Sequence, residues 1–224
     1  MNGTSAELDD MLGALATVET KNKVVLCVPF TLLRAGTARV AIGAQDISAH
    51  KSGAYTGEVS AEMIAATGAK YVIVGHSERR QYHCETNETV ATKAQMALAN
   101  GLIPIVCVGE TMAEKEAGQT MAVIESGVRE SIPSGVAGDI IVAYEPRWAI
   151  GAGLTPTPDE ITIAHTLIAN TLDDMGLAGT TILYGASANG SNAAEIMSLS
   201  NVGGVLIGRS ALKPDEFIPI ITSM

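Results

Sequence analysis

Seven short runs of mainly apolar, often β-branched residues recur along this 224-residue chain, and their spacing limits its possible folds more than any other feature. Each run is almost continuously apolar and does not alternate with polar residues. Such runs are typical of parallel strands that are covered on both faces. The runs are KVVLCV from Lys23, RVAIGA from Arg39, KYVIVG from Lys70, LIPIVCVG from Leu102, DIIVAY from Asp139, TTILYG from Thr180 and GGVLIG from Gly203.

Helical stretches separate these runs. Several stretches begin with a threonine, whose side chain can accept a hydrogen bond from one of the first free N–H groups of a helix. A glutamate follows three positions later, which completes the pattern of a capping box. The pairs are Thr4 with Glu7, Thr111 with Glu114, and Thr157 with Glu160, the last with Pro158 at the first helical position. The alternation of strand and helix shows no linker or change in composition, so we predict one domain over residues 1–224.

A polar or charged residue follows nearly every apolar run. Polar groups at the ends of many strands are typical of a parallel barrel, whereas an open sheet concentrates them at one crevice. These residues are Gln45, His76, Glu110, Glu145, Ser187 and Arg209. We therefore predict an α/β barrel of parallel strands, with seven strands and eight helices and with a helix at its beginning.

The charge of the chain restricts its partners. The net charge is −10 and no basic cluster occurs, which argues against nucleic acid and anionic membrane surfaces. No basic residue precedes Lys21, and no apolar run reaches the roughly 18 residues of a membrane span. We expect a soluble cytoplasmic protein. A small anionic substrate is compatible with this charge, because backbone N–H groups can bind phosphate.

His76 and Glu145 each stand where an apolar run ends, in YVIVGHSERR and IIVAYEPRW. Either residue alone could be a hydrogen-bonded structural group or half of an ion pair. Together on one edge of a barrel, a neutral imidazole and a carboxylate are the groups needed to move a proton next to a carbonyl.

The segment from Pro146 to Pro156 is long for a strand–helix connection, although an ordinary connection remains an alternative interpretation. Prolines at both ends stiffen it, Gly151 and Gly153 permit unusual backbone angles, and Trp148 and Ile150 give it an apolar face. We interpret it as a lid. The last two runs are followed by YGASANGSNAAE and IGRSALKPDE, small residues before helix starts that suit either a phosphate or plain tight turns.

The motifs together resemble those of the triosephosphate isomerase family. The segments GAQD, GAYTGEVSAEM, VIVGHSERR, CVGET, AYEPRWAIGAG, LYGASANGSNAAEI and IGRSALKP match that family in order, from Met1 to the C-terminus. The resemblance implies a TIM (β/α)8-type barrel. It also implies interconversion of dihydroxyacetone phosphate and glyceraldehyde 3-phosphate, in glycolysis and gluconeogenesis, with no metal or organic cofactor.

The resemblance also implies residue roles. Glu145 would be the base, His76 the neutral electrophile, and the segment from Pro146 to Pro156 the lid over an enediolate intermediate. The phosphate would bind the N–H groups of Gly151, Ser187, Gly208 and Arg209. Ser77, Glu78 and Cys107 match supporting positions in or beside the active centre.

The chain departs from the family pattern at its start. The family opens with a strand ending in Asn-Trp-Lys-Met-Asn-Gly, whereas this sequence starts at the last three of these residues. We therefore interpret the barrel as lacking its first strand and the catalytic lysine, with Lys21 and Lys23 at the opposite face as poor substitutes. Activity is expected to be abolished or strongly reduced.

Smaller departures are Arg147, Ala186, Ala188 and Arg209. A non-catalytic phosphate-binding or scaffold protein and an incomplete reading frame remain as alternative interpretations. The family dimerises through the loop that matches His50 to Ser60, so we expect a homo-oligomer formed by this loop or by exposed strand edges.

Overall fold

All seven apolar runs form strands in the computed structural model, which describes residues 1–136, 138–150 and 154–223. The prediction of seven strands is therefore confirmed. The strands are β1 Val24–Val28, β2 Val40–Ala44, β3 Tyr71–Val74, β4 Ile103–Val108, β5 Ile141–Tyr144, β6 Thr181–Tyr184 and β7 Gly204–Val205.

The strands form one sheet whose order is the order of the chain, from β1 to β7, and every pair is parallel. Representative partners are Tyr71 with Ile103 and Ile105 with Ile141. Within the described ranges, β1 and β7 each pair on one side only, so the sheet has two edges. This is the barrel-type sheet of seven parallel strands that the sequence predicts, with an opening between its first and last strands.

Nine α-helices lie in the described part of the chain, where eight were predicted. The connections after β3 and β4 each contain two helices instead of one, whereas the connection after β1 contains only a 3-10 turn. The helices are α1 Ser5–Leu15, α2 Ala61–Ala66, α3 Ser77–Tyr82, α4 Asn87–Ala99, α5 Met112–Glu116, α6 Thr120–Ser131, α7 Pro158–Asp174, α8 Ala193–Met197 and α9 Pro214–Ile221. Phe30–Leu32 and Arg209–Leu212 form short 3-10 turns.

Reciprocal capping boxes begin three of these helices, as the sequence predicts. In α1, α5 and α7 the threonine before the helix accepts from the third helical N–H, and the glutamate there accepts from the threonine N–H. Each such cap stabilises a helix start by about 1 kcal/mol. These caps fix where the chain turns from the sheet into α1, α5 and α7.

Two apolar clusters cover the two faces of the sheet. The larger cluster lies between the strands and the helices and includes the fully buried Ile42, Val106 and Ile168. The smaller one lines the inner face, where Tyr71 and Cys107 are buried. Burial on both faces explains why the strands are apolar along their whole length.

The helical layer joins the two ends of the sheet. Helix α1 packs against α9. Thr20 Oγ1 and Asn22 Nδ2 both donate to the carbonyl oxygen of Ile221, at 2.6 and 2.9 Å. The segment that leads into β1 is therefore fixed to the end of α9, although β1 and β7 do not pair with each other in the described residues.

Candidate active site

Glu145 follows β5 directly and lies at the carboxyl end of the sheet. Its backbone N–H donates to Val108 O at 2.7 Å, which extends the pairing with β4 by one residue. Gly109 makes this approach possible, because a Cβ at that position would lie 1.8 Å from Glu145 O. The carboxylate side chain is only 2% exposed. The backbone thus places a carboxylate in a site from which water is largely excluded.

His76 caps the start of α3, and its hydrogen bonds indicate its tautomer. The Glu78 backbone N–H donates to His76 Nδ1 at 3.2 Å, so Nδ1 has no proton and Nε2 carries one. Nε2 lies 3.0 Å from Glu145 Oε1. The structure therefore brings together the two residues that the sequence selects as an acid–base pair.

Ser77 completes the coordination of the carboxylate. Its backbone N–H donates to Glu145 Oε2 at 2.8 Å, while its own hydroxyl is buried and has no hydrogen-bond partner among the described residues. Both oxygens of Glu145 are therefore held, one by His76 and one by Ser77. A buried carboxylate that accepts two hydrogen bonds avoids much of its desolvation cost.

Burial and charge act in opposite directions on the pKa of His76. Burial lowers it, but the hydrogen bond and negative charge of Glu145 outweigh burial and raise the pKa above the ordinary value of 6.5. Glu78 contributes in the same direction as Glu145, since its Oε2 lies 3.9 Å from Nδ1. Without a ligand, His76 therefore binds a proton more readily than an ordinary histidine does.

Cys107 lies beneath the carboxylate on the inner face of β4. Burial, and then the charge of Glu145, raise the pKa of this thiol well above its ordinary value. The thiol is neutral near pH 7 for that reason. It contributes an uncharged wall beside Glu145, and its chemistry does not resemble that of an activated nucleophile.

Arg80 is a site-supporting residue that the sequence analysis does not single out. Its Nε donates to Gly75 O at 2.9 Å and its Nη2 to Cys107 O at 3.0 Å, so one guanidinium joins the ends of β3 and β4. The second arginine of the HSERR motif is the only signal in the sequence. The bonds to Gly75 and Cys107 stabilise the positions of the strand ends that present His76 and Glu145.

The first half of the proposed lid packs on Glu110, which the sequence places only at a strand end. Trp148 Nε1 donates to Glu110 Oε1 at 2.7 Å, and the Tyr144 hydroxyl donates to the same carboxylate at 3.2 Å. Lys115 Nζ lies 3.3 Å from the centroid of the Trp148 ring. Burial raises the pKa of Glu110, and the bonds from Trp148 and Tyr144 partly offset that effect. Trp148 is thus anchored at the start of the segment.

Other lid residues differ in what the structure shows. Pro146 is buried and Ile150 is half-buried. Gly151 and Gly153, assigned to phosphate binding and to the lid tip, lie outside the described residues. The lid interpretation therefore rests on the anchored first half and on the two prolines in the sequence.

The remaining phosphate-site candidates lie at the same end of the sheet. Ser187 follows β6, and Gly208 and Arg209 follow β7 at the start of a 3-10 turn. The backbone N–H groups of Ser187 and Gly208 donate to no described residue, and Arg209 is exposed. Next to Ser187, Gly185 approaches Glu145, since a Cβ there would lie 3.0 Å from Glu145 Cγ. The free N–H group of Ser187 is therefore close in sequence to a glycine that approaches Glu145.

No group of three or more His, Cys, Asp or Glu side chains in the described ranges is placed to hold a metal ion. None of the helices described is long and apolar enough to cross a membrane. The chemistry available at the site is acid–base chemistry by Glu145 and His76, with backbone N–H groups for an anion.

The fold and site define a class of protein, a parallel β/α barrel enzyme with its acid–base groups at the carboxyl ends of the strands. Comparison with known proteins narrows this class. The family model described as triosephosphate isomerase matches residues 1–224. The chain belongs to the triosephosphate isomerase family.

Individual relatives agree with this assignment. Triosephosphate isomerase of Bradyrhizobium sp. (strain ORS 278) is 46% identical over 234 residues, an alignment that covers 98% of this chain and 93% of that protein. The protein of the same name from Acidiphilium cryptum (strain JF-5) is 43% identical, with 100% and 94% coverage. A crystal structure of triosephosphate isomerase from Bartonella henselae superposes with a TM-score of 0.91 at 34% identity, covering 98% of this chain and 93% of that one.

Proposed function

We propose that this chain interconverts dihydroxyacetone phosphate and glyceraldehyde 3-phosphate through an enediolate, with Glu145 as the base. The observation that supports this most is the 3.0 Å contact between Glu145 Oε1 and His76 Nε2 at the carboxyl end of the sheet. Triosephosphate isomerases are a known case of a glutamate base paired with a neutral histidine. Glu145 takes a proton from one carbon and returns it to the next.

His76 acts as the electrophile. The bond from Glu78 N–H fixes the tautomer with the proton on Nε2, which can then be donated to a substrate oxygen. In the free protein, Glu145 accepts the hydrogen bond from that Nε2 proton. Substrate binding must therefore replace the Glu145–His76 contact, so that His76 contacts a substrate oxygen and Glu145 contacts a substrate carbon. This exchange frees the base when the substrate arrives and favours the neutral form of His76, because the carboxylate that raises the pKa of His76 moves away.

The segment from Pro146 to Pro156 closes over the intermediate and excludes water. The hydrogen bond from Trp148 to Glu110 supports a hinge at the start of the segment. This bond and the cation–π contact of Trp148 with Lys115 can break together when the segment moves. The N–H groups of Gly151, Ser187, Gly208 and Arg209 bind the phosphate. The unpartnered N–H groups of Ser187 and Gly208 favour this role.

The turnover of the 224-residue chain is strongly reduced. None of the described hydrogen bonds or ion pairs of Glu145 and His76 involves a lysine, and Arg80 is already bonded to backbone oxygens. A closed site without a preorganised cation stabilises an enediolate poorly, and the loss is roughly a thousandfold in rate. Lys23 cannot supply such a cation, because Lys23 precedes β1 at the opposite end of the sheet from Glu145.

The protein acts in the cytoplasm as a homo-oligomer. The segment from His50 to Ser60 is mostly exposed, and the rings of His50 and Tyr55 stack within it at 3.8 Å. The edges at β1 and β7 offer a second surface for self-association. Light scattering at micromolar concentration should report a species larger than one chain, and a stable monomer would refute this part of the proposal.

A coupled isomerase assay on purified protein tests the proposed activity. We expect weak turnover that Glu145→Gln abolishes and that the matched change at an exposed carboxylate, Glu195→Gln, leaves unchanged. If the activity survives Glu145→Gln, it comes from another protein. If no turnover is seen but 2-phosphoglycolate raises the unfolding temperature, the chain is a phosphate-binding protein that retains the isomerase fold.

A further inference from the structure

A cleft with a cationic border lies at the amino ends of the first four strands, on the opposite side of the sheet from Glu145. Its volume is about 320 Å³. This volume lies at the lower end of the range of small-molecule sites. The described residues that are assigned to catalysis and phosphate binding lie at the other end of the sheet. The cleft therefore needs an explanation of its own.

The floor of the cleft is apolar. Ala41, Tyr71 and Ile103 line it, and all three belong to the apolar cluster on the inner face of the sheet. The register of β3 and β4 places Tyr71 beside Ile103, so the two side chains form one surface. An uncharged hydrocarbon or aromatic body is the chemistry that such a floor can bury favourably.

The border of the cleft contains three cations. Lys23, Arg39 and Lys70 immediately precede β1, β2 and β3, and all three side chains are exposed. None of them forms an ion pair with any residue in the described ranges. Arg39 is oriented by one bond, from its Nη1 to Val18 O at 3.0 Å.

The arrangement of these cations is unfavourable without a partner. Val24 pairs with Val40, and the same register places Lys23 beside Arg39 one residue earlier. Like charges side by side on neighbouring strands destabilise a sheet. In a chain of net charge −10, carboxylates to pair with them are plentiful, yet the described ones form no ion pair at this border. An anion bound between them would remove this repulsion.

We propose that the cleft binds a small organic anion with an apolar body, of the class of a medium-chain carboxylate. Its acidic group lies between Lys23 and Arg39, with Lys70 as a third cation at the border. Its apolar part rests on Tyr71 and Ile103. An inorganic anion would leave the floor exposed to water, and an uncharged alkane would leave the cations unpaired. The site does not depend on the isomerase activity.

The test measures binding of octanoate by calorimetry, beside inorganic phosphate and octanol, which each lack one half of the proposed chemistry. The variant Lys23→Gln/Arg39→Gln removes the two adjacent charges. Arg129→Gln/Lys213→Gln is a charge-matched control, because those side chains are exposed and paired with nearby carboxylates away from the cleft. Unfolding temperatures without ligand show whether each variant is folded.

We expect octanoate to bind the natural chain more tightly than phosphate or octanol. The cleft variant should lose roughly tenfold in affinity, the size expected for two exposed ion pairs, and the control variant should keep its affinity. The cleft variant without ligand should unfold at the same or a higher temperature, because repulsion has been removed. Equal affinity in both variants, or octanoate no better than phosphate or octanol, would overturn the proposal.

Discussion

At the scale of single residues, Glu145 is a buried carboxylate whose two oxygens both accept hydrogen bonds, and we propose it as the base. His76 holds one at 3.0 Å and the Ser77 N–H holds the other at 2.8 Å. A carboxylate left unpaired in this position would destabilise the fold, whereas one held too firmly could not reach a substrate. Hydrogen bonds from the His76 side chain and from the Ser77 N–H at the start of α3 stabilise the carboxylate and still allow it to move, because a substrate oxygen can replace the carboxylate at His76.

The titration of His76 tests this arrangement. Its pKa is raised above the ordinary 6.5, with Glu145 as the main cause that opposes burial. The pair therefore stabilises the fold fully below the unfolded pKa, and this contribution is lost as pH rises through the folded pKa. By NMR, we expect Glu145→Gln to lower the pKa of His76 and the exposed control change Glu195→Gln to leave the pKa of His76 unchanged. An unchanged His76 titration with Glu145→Gln would contradict the role of the contact.

At the scale of elements, helix α7 packs one face against the sheet and exposes the other. Ile168 is fully buried, whereas Ile163, in the same helix, is 54% exposed. The capping box at Thr157 fixes the start of the helix and therefore the end of the segment that we interpret as a lid. Packing of α7 thus links core stability to the position of that segment.

Two substitutions of the same kind in α7 should therefore differ in cost. We expect Ile168→Ala to lower the free energy of unfolding by about 2–5 kcal/mol, because it leaves a cavity in the core. Ile163→Ala should change it by less than about 0.5 kcal/mol, since its side chain is in contact with water. Denaturant unfolding followed by circular dichroism measures both, and equal costs would show that α7 is packed differently.

The sequence predicts the strands better than the helices, and the proximity of His76 and Glu145 better than the residues that support them. Continuous apolar runs specify buried parallel strands, and the polar residue at the end of each run places His76 and Glu145 together. Single stretches give no clear sign that the connections after β3 and β4 each divide into two short helices. The bond from Trp148 to Glu110 spans 38 positions, so only the folded chain shows it.

At the scale of the whole molecule, the two ends of the sheet have different chemistry. The carboxyl end holds the contacting carboxylate and imidazole of Glu145 and His76 and free backbone N–H groups, and the amino end holds three cations around an apolar floor. Parallel strands produce this division, because every strand presents the same end on the same side. The helical layer, joined where α1 meets α9, supports both ends, while β1 and β7 do not pair with each other in the described residues.

Transfer of a carbon-bound proton by Glu145 is the central claim, and deuterium incorporation measures it most directly. Dihydroxyacetone phosphate is incubated with the chain in D2O. NMR follows the loss of signal from a hydrogen on the hydroxymethyl carbon next to the carbonyl. We predict slow incorporation above the rate in buffer, which Glu145→Gln abolishes and Glu195→Gln does not change. Incorporation that is equally fast with Glu145→Gln, or no faster than in buffer alone, would contradict the claim.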